Sequence, residues 1–279
     1  MTDLLLNTQQ LSELIAQGKC LPVDCRFDLS RPRQSFQDYQ EGHIPGAVYA
    51  HLDEHLASEI TPQSGRHPLP DKERFAAFLA SIGWQENKWL VAYDAGNGMF
   101  AARLWWLMRY FGLSASLLDG GLAAWTDAGL ELQRGVFKAT PGSTPVLIED
   151  QGMVVAASDI LAHGDQFALL DARAPERFSG AVEPLDSKAG HIPGALNRPF
   201  ALNLDASGRF KSAGQLRIEF GELLAQHHSV STVHYCGSGV TACHNAFAME
   251  LAGLQGSKIY PGSWSEWIRD PARPVETSV

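Results

Sequence analysis

Short apolar runs alternate along this chain with stretches whose apolar positions recur at helical spacing. Leu90-Val91-Ala92-Tyr93, Phe167-Ala168-Leu169-Leu170 and the run from Val230 to Tyr235 have the length and character of strands buried on both faces. Ala101 to Phe111 and Thr241 to Ala252 place apolar residues along one helix face, and Ser158 to His163 begins with Ser158 and Asp159 as caps. Strands alternating with helices predict an α/β fold, with a mostly parallel sheet covered by helices on both faces.

The pattern occurs twice. Val23-Asp24-Cys25-Arg26 answers Leu170-Asp171-Ala172-Arg173, and Gly42-His43-Ile44-Pro45-Gly46-Ala47 answers Gly190-His191-Ile192-Pro193-Gly194-Ala195. Tyr93-Asp94 answers Tyr235-Cys236, and Gly120-Gly121-Leu122-Ala123-Ala124-Trp125 answers Gly262-Ser263-Trp264-Ser265-Glu266-Trp267. The offsets are 147, 148, 142 and 142, in chain order. Such matches predict a duplicated domain: residues 1–134 and 153–279, joined by a linker at 135–152 that contains Pro141-Gly142-Ser143-Thr144-Pro145. The repeated His-Ile-Pro-Gly-Ala segments read as turns, since Pro fixes the backbone and Gly permits positive φ. The Asp24/Arg26 and Asp171/Arg173 pairs read as structural, pinning those turns by charge-assisted hydrogen bonds.

Composition narrows the function classes. With 279 residues, 45% of them hydrophobic, the chain can fill two ordinary cores. A formal net charge of -9 repels phosphate backbones, so nucleic acid is not an expected partner. No apolar run is long enough to span a membrane. The N-terminal residues Met1 to Thr8 lack the basic and apolar regions of a secretory signal. The expectation is a cytoplasmic protein whose four cysteines, Cys20, Cys25, Cys236 and Cys243, stay reduced. None sits in a Cys-x-x-Cys pair, which argues against structural zinc.

One cysteine has a setting for chemistry. Tyr235-Cys236-Gly237-Ser238-Gly239-Val240-Thr241 follows a buried strand and opens a helix. A loop there points backbone N–H groups at one spot, and they stabilise a thiolate together with the helix dipole. Gly237 and Gly239 let the backbone curl around the sulfur, and Ser238 and Thr241 add hydroxyls. The matching position in the first half is Asp94, so the repeat predicts one active site, in the second domain. Cys243 and Cys25 read as core residues, and Cys20 has no assigned role.

Cys-Gly-Ser-Gly-Val-Thr-Ala after a strand, with two His-Ile-Pro-Gly-Ala segments, resembles the rhodanese-type sulfurtransferases that use 3-mercaptopyruvate or thiosulfate. The resemblance covers essentially the whole chain. It implies two tandem rhodanese-like domains and a persulfide on Cys236, with no cofactor. It also implies a small-molecule sulfur donor and a thiophilic acceptor such as thioredoxin, another thiol or cyanide. The loop through Thr241, with Gly237 and Ser238 where the thiosulfate branch has basic residues, resembles the mercaptopyruvate branch. Arg177, in Glu176-Arg177-Phe178, matches the family arginine that binds the donor's anion. His43 matches a family histidine that acts with Ser238 in a serine-histidine-acid relay, with Asp28 and Asp38 as candidates for the acid. The stretch Glu183-Pro184-Leu185-Asp186-Ser187-Lys188 lacks the second arginine of that branch, and Lys188 is expected to supply its charge.

A cysteine phosphatase needs an arginine six residues after its nucleophile to clamp phosphoryl oxygens, and the residue there is Ala242. A thiosulfate sulfurtransferase is the alternative within the family. A cysteine hydrolase and a non-catalytic interaction module are further alternatives, the last fitting Asp94 better than Cys236.

Overall fold

The computed structural model describes residues 3–225 and 231–278. Met1, Thr2 and Val230, on which parts of the readings above fall, lie outside the described residues. The chain forms two compact units. The first holds Met1–Ser58, Pro70–Glu149 and Ala206–Arg209, and the second holds Glu59–Leu69, Asp150–Asp205 and Phe210–Val279. The short segment 59–69 therefore packs with the second unit, although the sequence places it within the first half of the repeat.

The first unit contains strands β1 (Leu5–Leu6), β2 (Cys20–Asp24), β3 (Val48–Tyr49), β4 (Trp89–Tyr93) and β5 (Ser116–Leu118). They form a parallel sheet in the order β1-β5-β4-β2-β3. The second unit contains β6 (Ala168–Asp171), β7 (Leu196–Asn197), β8 (Thr232–Tyr235) and β9 (Lys258–Ile259), parallel in the order β7-β6-β8-β9. This reproduces the β3-β2-β4-β5 part of the first sheet. Helices flank both sheets, as the alternating pattern predicts.

Alternate residues of each central strand project to opposite faces. Val91 and Tyr93 of β4 pack with Leu11, Leu118 and Trp125, while Val233 and Tyr235 of β8 pack with Ile160, Trp264 and Trp267. The helix predicted from Ser158 begins at Ala157, and the Asp159 carboxylate reaches back to accept the Ala156 N–H at 2.9 Å. The predicted turn pins are present in both units. Arg26 binds the Asp24 carboxylate through Nε and Nη2 and donates to the Gly42 carbonyl at 2.8 Å. Arg173 does the same with Asp171 and with the Gly190 carbonyl at 2.7 Å. Each arginine thus ties its strand end to the glycine that opens His-Ile-Pro-Gly-Ala.

Thr232 and His234 project to the opposite face of β8, where neither the Thr232 hydroxyl nor the His234 ring nitrogens have a partner among the described residues. Burial pushes the His234 imidazole down to about 3. The folded state therefore stays unprotonated at pH values where the unfolded chain, with an ordinary histidine, takes up a proton. Stability from this group is fully present above the unfolded value and is lost as pH falls towards the folded one. Between neutrality and pH 5 the expected loss is about 2 kcal/mol. Denaturant titrations of wild type and His234→Leu at both pH values test this. The variant is expected to lose that part of the acid sensitivity, and an unchanged pH slope excludes His234 as its source.

Candidate active site

Tyr235 closes β8, and its hydroxyl is anchored before the loop begins. It hydrogen-bonds Asp171 and accepts the Ile192 N–H at 3.3 Å. The Cys236 N–H donates to Ser263 Oγ at 3.1 Å, and the Cys236 carbonyl accepts the Trp264 N–H at 2.9 Å. Ser263 is the one non-glycine among the described residues with a left-handed backbone, φ 53°. Such a conformation costs a side chain energy, and here it aims Oγ at the backbone of Cys236.

The loop then wraps the sulfur. Cys236 Sγ is 3.1 Å from the Gly239 nitrogen and 3.5 Å from that of Ser238, both of which donate to it. Gly239 has φ 80°, and a Cβ there would stand 2.4 Å from the Pro261 carbonyl oxygen, so only glycine fits. The helix Thr241–Leu251 follows. The N–H groups of Val240, Thr241 and Ala242 have no hydrogen-bond partner among the described residues. They are the orphan donors of a helix start, available to an anion beyond Sγ.

The first unit shows what such a loop holds. Asp94 occupies the position of Cys236, and its carboxylate accepts the N–H groups of Gly96, Gly98, Phe100 and Ala101 at 2.9–3.2 Å. Burial pushes the Asp94 carboxyl up, against these four hydrogen bonds. At the offset of 142, Gly96, Gly98 and Phe100 correspond to Ser238, Val240 and Ala242. The duplicated turn is thus an anion nest, filled by a carboxylate in one unit and lined around a thiol in the other.

Charged groups converge beside Gly237. Arg177 binds Glu183 through Nε and Nη2, at 2.8–3.1 Å, and Nη2 also reaches Asp186 at 3.0 Å. Arg66 pairs with the other Asp186 oxygen through Nη1. A Cβ at position 237 would lie 2.7 Å from Arg66 Nη2 and 3.5 Å from Arg177 Nη1. The nitrogens left over from the carboxylate pairs, Arg66 Nη2 and Arg177 Nη1, are among those facing the loop. Burial works against the Glu183 carboxylate, but its hydrogen bonds with Arg177 hold it below the usual range. Burial raises Asp186 despite the pull of Arg66.

Two expectations are corrected. The histidine beside Ser238 is His67, whose Nδ1 is 2.7 Å from Ser238 Oγ. His43 is fully buried in the first unit, stacked on Tyr39 with Nδ1 bonded to the Tyr39 carbonyl at 2.8 Å. It serves the turn, as does His191, which holds the Phe178 carbonyl in the second unit. Lys188 is exposed and meets its surroundings through its carbonyl, which accepts the Trp264 Nε1–H at 2.8 Å. The second cation at the loop is Arg66. Of the suggested acids, Asp28 is engaged by Ser30 and Arg31, and Asp38 by Gln34. The Cys243 thiol donates to the Gly239 carbonyl from a fully buried site, and Cys25 is buried. Burial pushes Cys20 up to about 12.

Arg66, though not His67, falls in a further match of the repeat. Ser64-Gly65-Arg66 answers Ser207-Gly208-Arg209 at an offset of 143. Gly65 packs so closely that a Cβ would stand 2.4 Å from the Gly262 carbonyl, and the Arg66 N–H donates to Ser265 Oγ at 3.0 Å. These contacts seat the segment on the loop that carries Ser263.

Two parallel α/β units, with a cysteine nest in one and a carboxylate in the other, define the rhodanese class. Residues 7–128 and 155–270 match the rhodanese-like domain family, and the chain belongs to it. It is 46% identical over 278 residues, 98% of each chain, to a Pseudomonas aeruginosa protein named "Probable 3-mercaptopyruvate sulfurtransferase". It is 38% identical over 282 residues, 98% of this chain and 96% of the other, to a Mycobacterium tuberculosis protein named "Putative thiosulfate sulfurtransferase". The structure of 3-mercaptopyruvate sulfurtransferase from Leishmania major aligns with a TM-score of 0.83 at 28% identity, over 95% of this chain and 74% of that one. No helix among the described residues is long and apolar enough to cross a membrane.

Proposed function

We propose that the chain transfers sulfur from 3-mercaptopyruvate to a thiophilic acceptor through a persulfide on Cys236. The observation that carries this reading is the hydrogen bond of 2.7 Å between Ser238 Oγ and His67 Nδ1, two residues from the nucleophile. The Cys236 thiolate attacks the donor's sulfur, the sulfur–carbon bond breaks, and its electron pair forms the enolate of pyruvate. Ser238, with His67 behind it, supplies the proton that the enolate needs. The outer sulfur of the persulfide is met by the free N–H groups of Val240, Thr241 and Ala242. A thiol such as thioredoxin, or cyanide, then takes that sulfur and restores the Cys236 thiolate.

Arg177 and Arg66 bind the donor's carboxylate through the nitrogens facing Gly237. The same pair of guanidiniums favours a second reading, in which the dianion thiosulfate is the donor. Glu183 and Asp186 count against it, because carboxylates held on both guanidiniums reduce the positive charge that a dianion would need. Thiosulfate also leaves as sulfite without needing a proton at carbon.

The test compares kcat/KM for the two donors at one pH. Mercaptopyruvate is expected to lead by at least about tenfold, or about 1.4 kcal/mol. A lead for thiosulfate reverses the donor assignment and leaves the persulfide in place. Arg177→Lys keeps the charge but loses the planar fork that spans Glu183 and the loop. Its expected cost in kcat/KM for mercaptopyruvate is about 1.5–3 kcal/mol. Unchanged kinetics remove Arg177 from the donor site.

A further inference from the structure

The first unit holds a cavity of about 660 Å³ that no part of the sulfur-transfer reading uses. One wall carries Phe36 and Tyr49, whose ring centroids lie 5.4 Å apart. Another carries Phe78 and His55, stacked at 4.4 Å with 13° between their planes. The segment 136–139 lines the cavity as well. It is held there by the Gly135 N–H on the Gln40 carbonyl, at 2.8 Å, and the Phe137 N–H on the Tyr39 hydroxyl, at 3.1 Å.

The polar groups of the lining point to one kind of ligand. Arg33 and Lys138 are exposed cations with neither an ion pair nor a side-chain hydrogen bond among the described residues. Nearby Arg26 and Arg31, by contrast, both hold aspartates. His51 Nδ1 accepts the Asp53 N–H at 3.2 Å, and His55 Nδ1 accepts the His51 N–H at 2.9 Å. With Nδ1 accepting, each neutral ring carries its proton on Nε2 and offers a donor. Burial pushes His55 down to about 4, which keeps that ring neutral at physiological pH. The Tyr49 hydroxyl donates to the Arg26 carbonyl, so this tyrosine offers the cavity a ring rather than a polar group. Glu54 is the one acid in the lining. Two unpaired cations beside aromatic walls, on a chain of net charge -9, suit an anion with a flat apolar body.

We propose that this cavity binds a small organic anion built on a planar ring, with the ring against Phe36, Tyr49 and Phe78 and the acid group at Arg33 and Lys138. The volume suits a ligand from a single substituted ring up to a mononucleotide. None of its lining residues belongs to the Cys236 loop or its hydrogen-bond partners, so occupancy and sulfur transfer are separate readouts.

The experiment titrates the full chain with anilinonaphthalene sulfonate, a planar aromatic anion that fluoresces when bound, and with its uncharged parent, phenylnaphthylamine. The sulfonate is expected to saturate at one probe per chain. The double variant Arg33→Glu with Lys138→Glu is expected to weaken it at least tenfold, about 1.4 kcal/mol, and to leave phenylnaphthylamine binding unchanged. Phe36→Ser, at a residue 39% exposed, is expected to weaken both probes. The unfolding midpoint and sulfur transfer from mercaptopyruvate should be the same in all three proteins, the midpoint showing that the substituted unit is folded. Sulfonate binding that does not saturate, or that is equally tight in the charge-reversed variant, overturns the proposal.

Discussion

Cys236→Ser is expected to lower sulfur transfer by more than about 10³-fold and to leave the unfolding midpoint close to that of wild type. The stability half of this expectation follows from how the loop is held. Its fixed points are the Ser263 Oγ bond to the Cys236 N–H, the Trp264 N–H on the Cys236 carbonyl and the Ser265 N–H on the Gly237 carbonyl. All three use backbone atoms of the loop, and a serine keeps them. The activity half follows from chemistry. A hydroxyl in the same nest remains protonated at neutral pH and cannot form a persulfide by attacking sulfur. Turnover assays with either donor, together with the mass of the donor-treated protein, provide the check. Wild type should gain one sulfur atom and the variant none. Retained transfer in the variant would falsify the assignment of Cys236 as the sulfur carrier, whichever donor is used.

How much of this was legible depended on whether the information was local. The two sheets follow from short apolar runs at nearly constant offset, and β4 and β8 lie within a residue or two of the predicted runs. The roles of Asp24, Arg26, Asp171 and Arg173 were also legible, because strand end and turn lie close in sequence and the same pair occurs twice. Cys236 could be read because strand, loop and helix start are contiguous. His67 and Arg66 were harder. They come from segment 59–69, which lies in the first half of the sequence but packs with the second unit. No periodicity reports such a placement. His43 is expected from the family resemblance, yet its motif is repeated, which is what a structural turn residue shows, and His191 plays the same part. A catalytic partner for the one cysteine need not be repeated. Lys188 is near in sequence to the missing arginine, whereas Arg66, the cation found beside Gly237, lies over a hundred residues away.

The Asp94 nest bears on how the two units came to differ. Four N–H groups converge on its carboxylate, so the same turn can stabilise a negative charge without any cation. In the second unit, the corresponding donors at Val240 and Ala242 remain unpaired, and Sγ uses those of Ser238 and Gly239. A sulfur atom added to Cys236 would extend the side chain by one bond, to about the reach of the aspartate oxygens. The first unit thus carries a carboxylate in the place that, on the proposed mechanism, a persulfide on Cys236 would take.

Ser238→Ala is expected to separate the two donors. With mercaptopyruvate, breaking the sulfur–carbon bond leaves charge on an enolate, and a positioned proton donor is worth about 10²–10⁴-fold in rate. Ser238 Oγ is 2.7 Å from His67 Nδ1 and is 7% exposed, so the alanine variant leaves little room for water to take its place. With thiosulfate the leaving group is sulfite, which is stable as an anion and needs no such proton. The variant is therefore expected to lose about 10²-fold or more in kcat/KM for mercaptopyruvate and to change little for thiosulfate. His67→Gln should show the same split in weaker form, since the serine hydroxyl remains but loses the ring that exchanges its proton. The ratio of the two donors is the informative quantity, because a general disturbance of the loop lowers both together. Equal losses for both donors would mean that Ser238 only shapes the nest around Cys236, and the proton must then reach the enolate from another group.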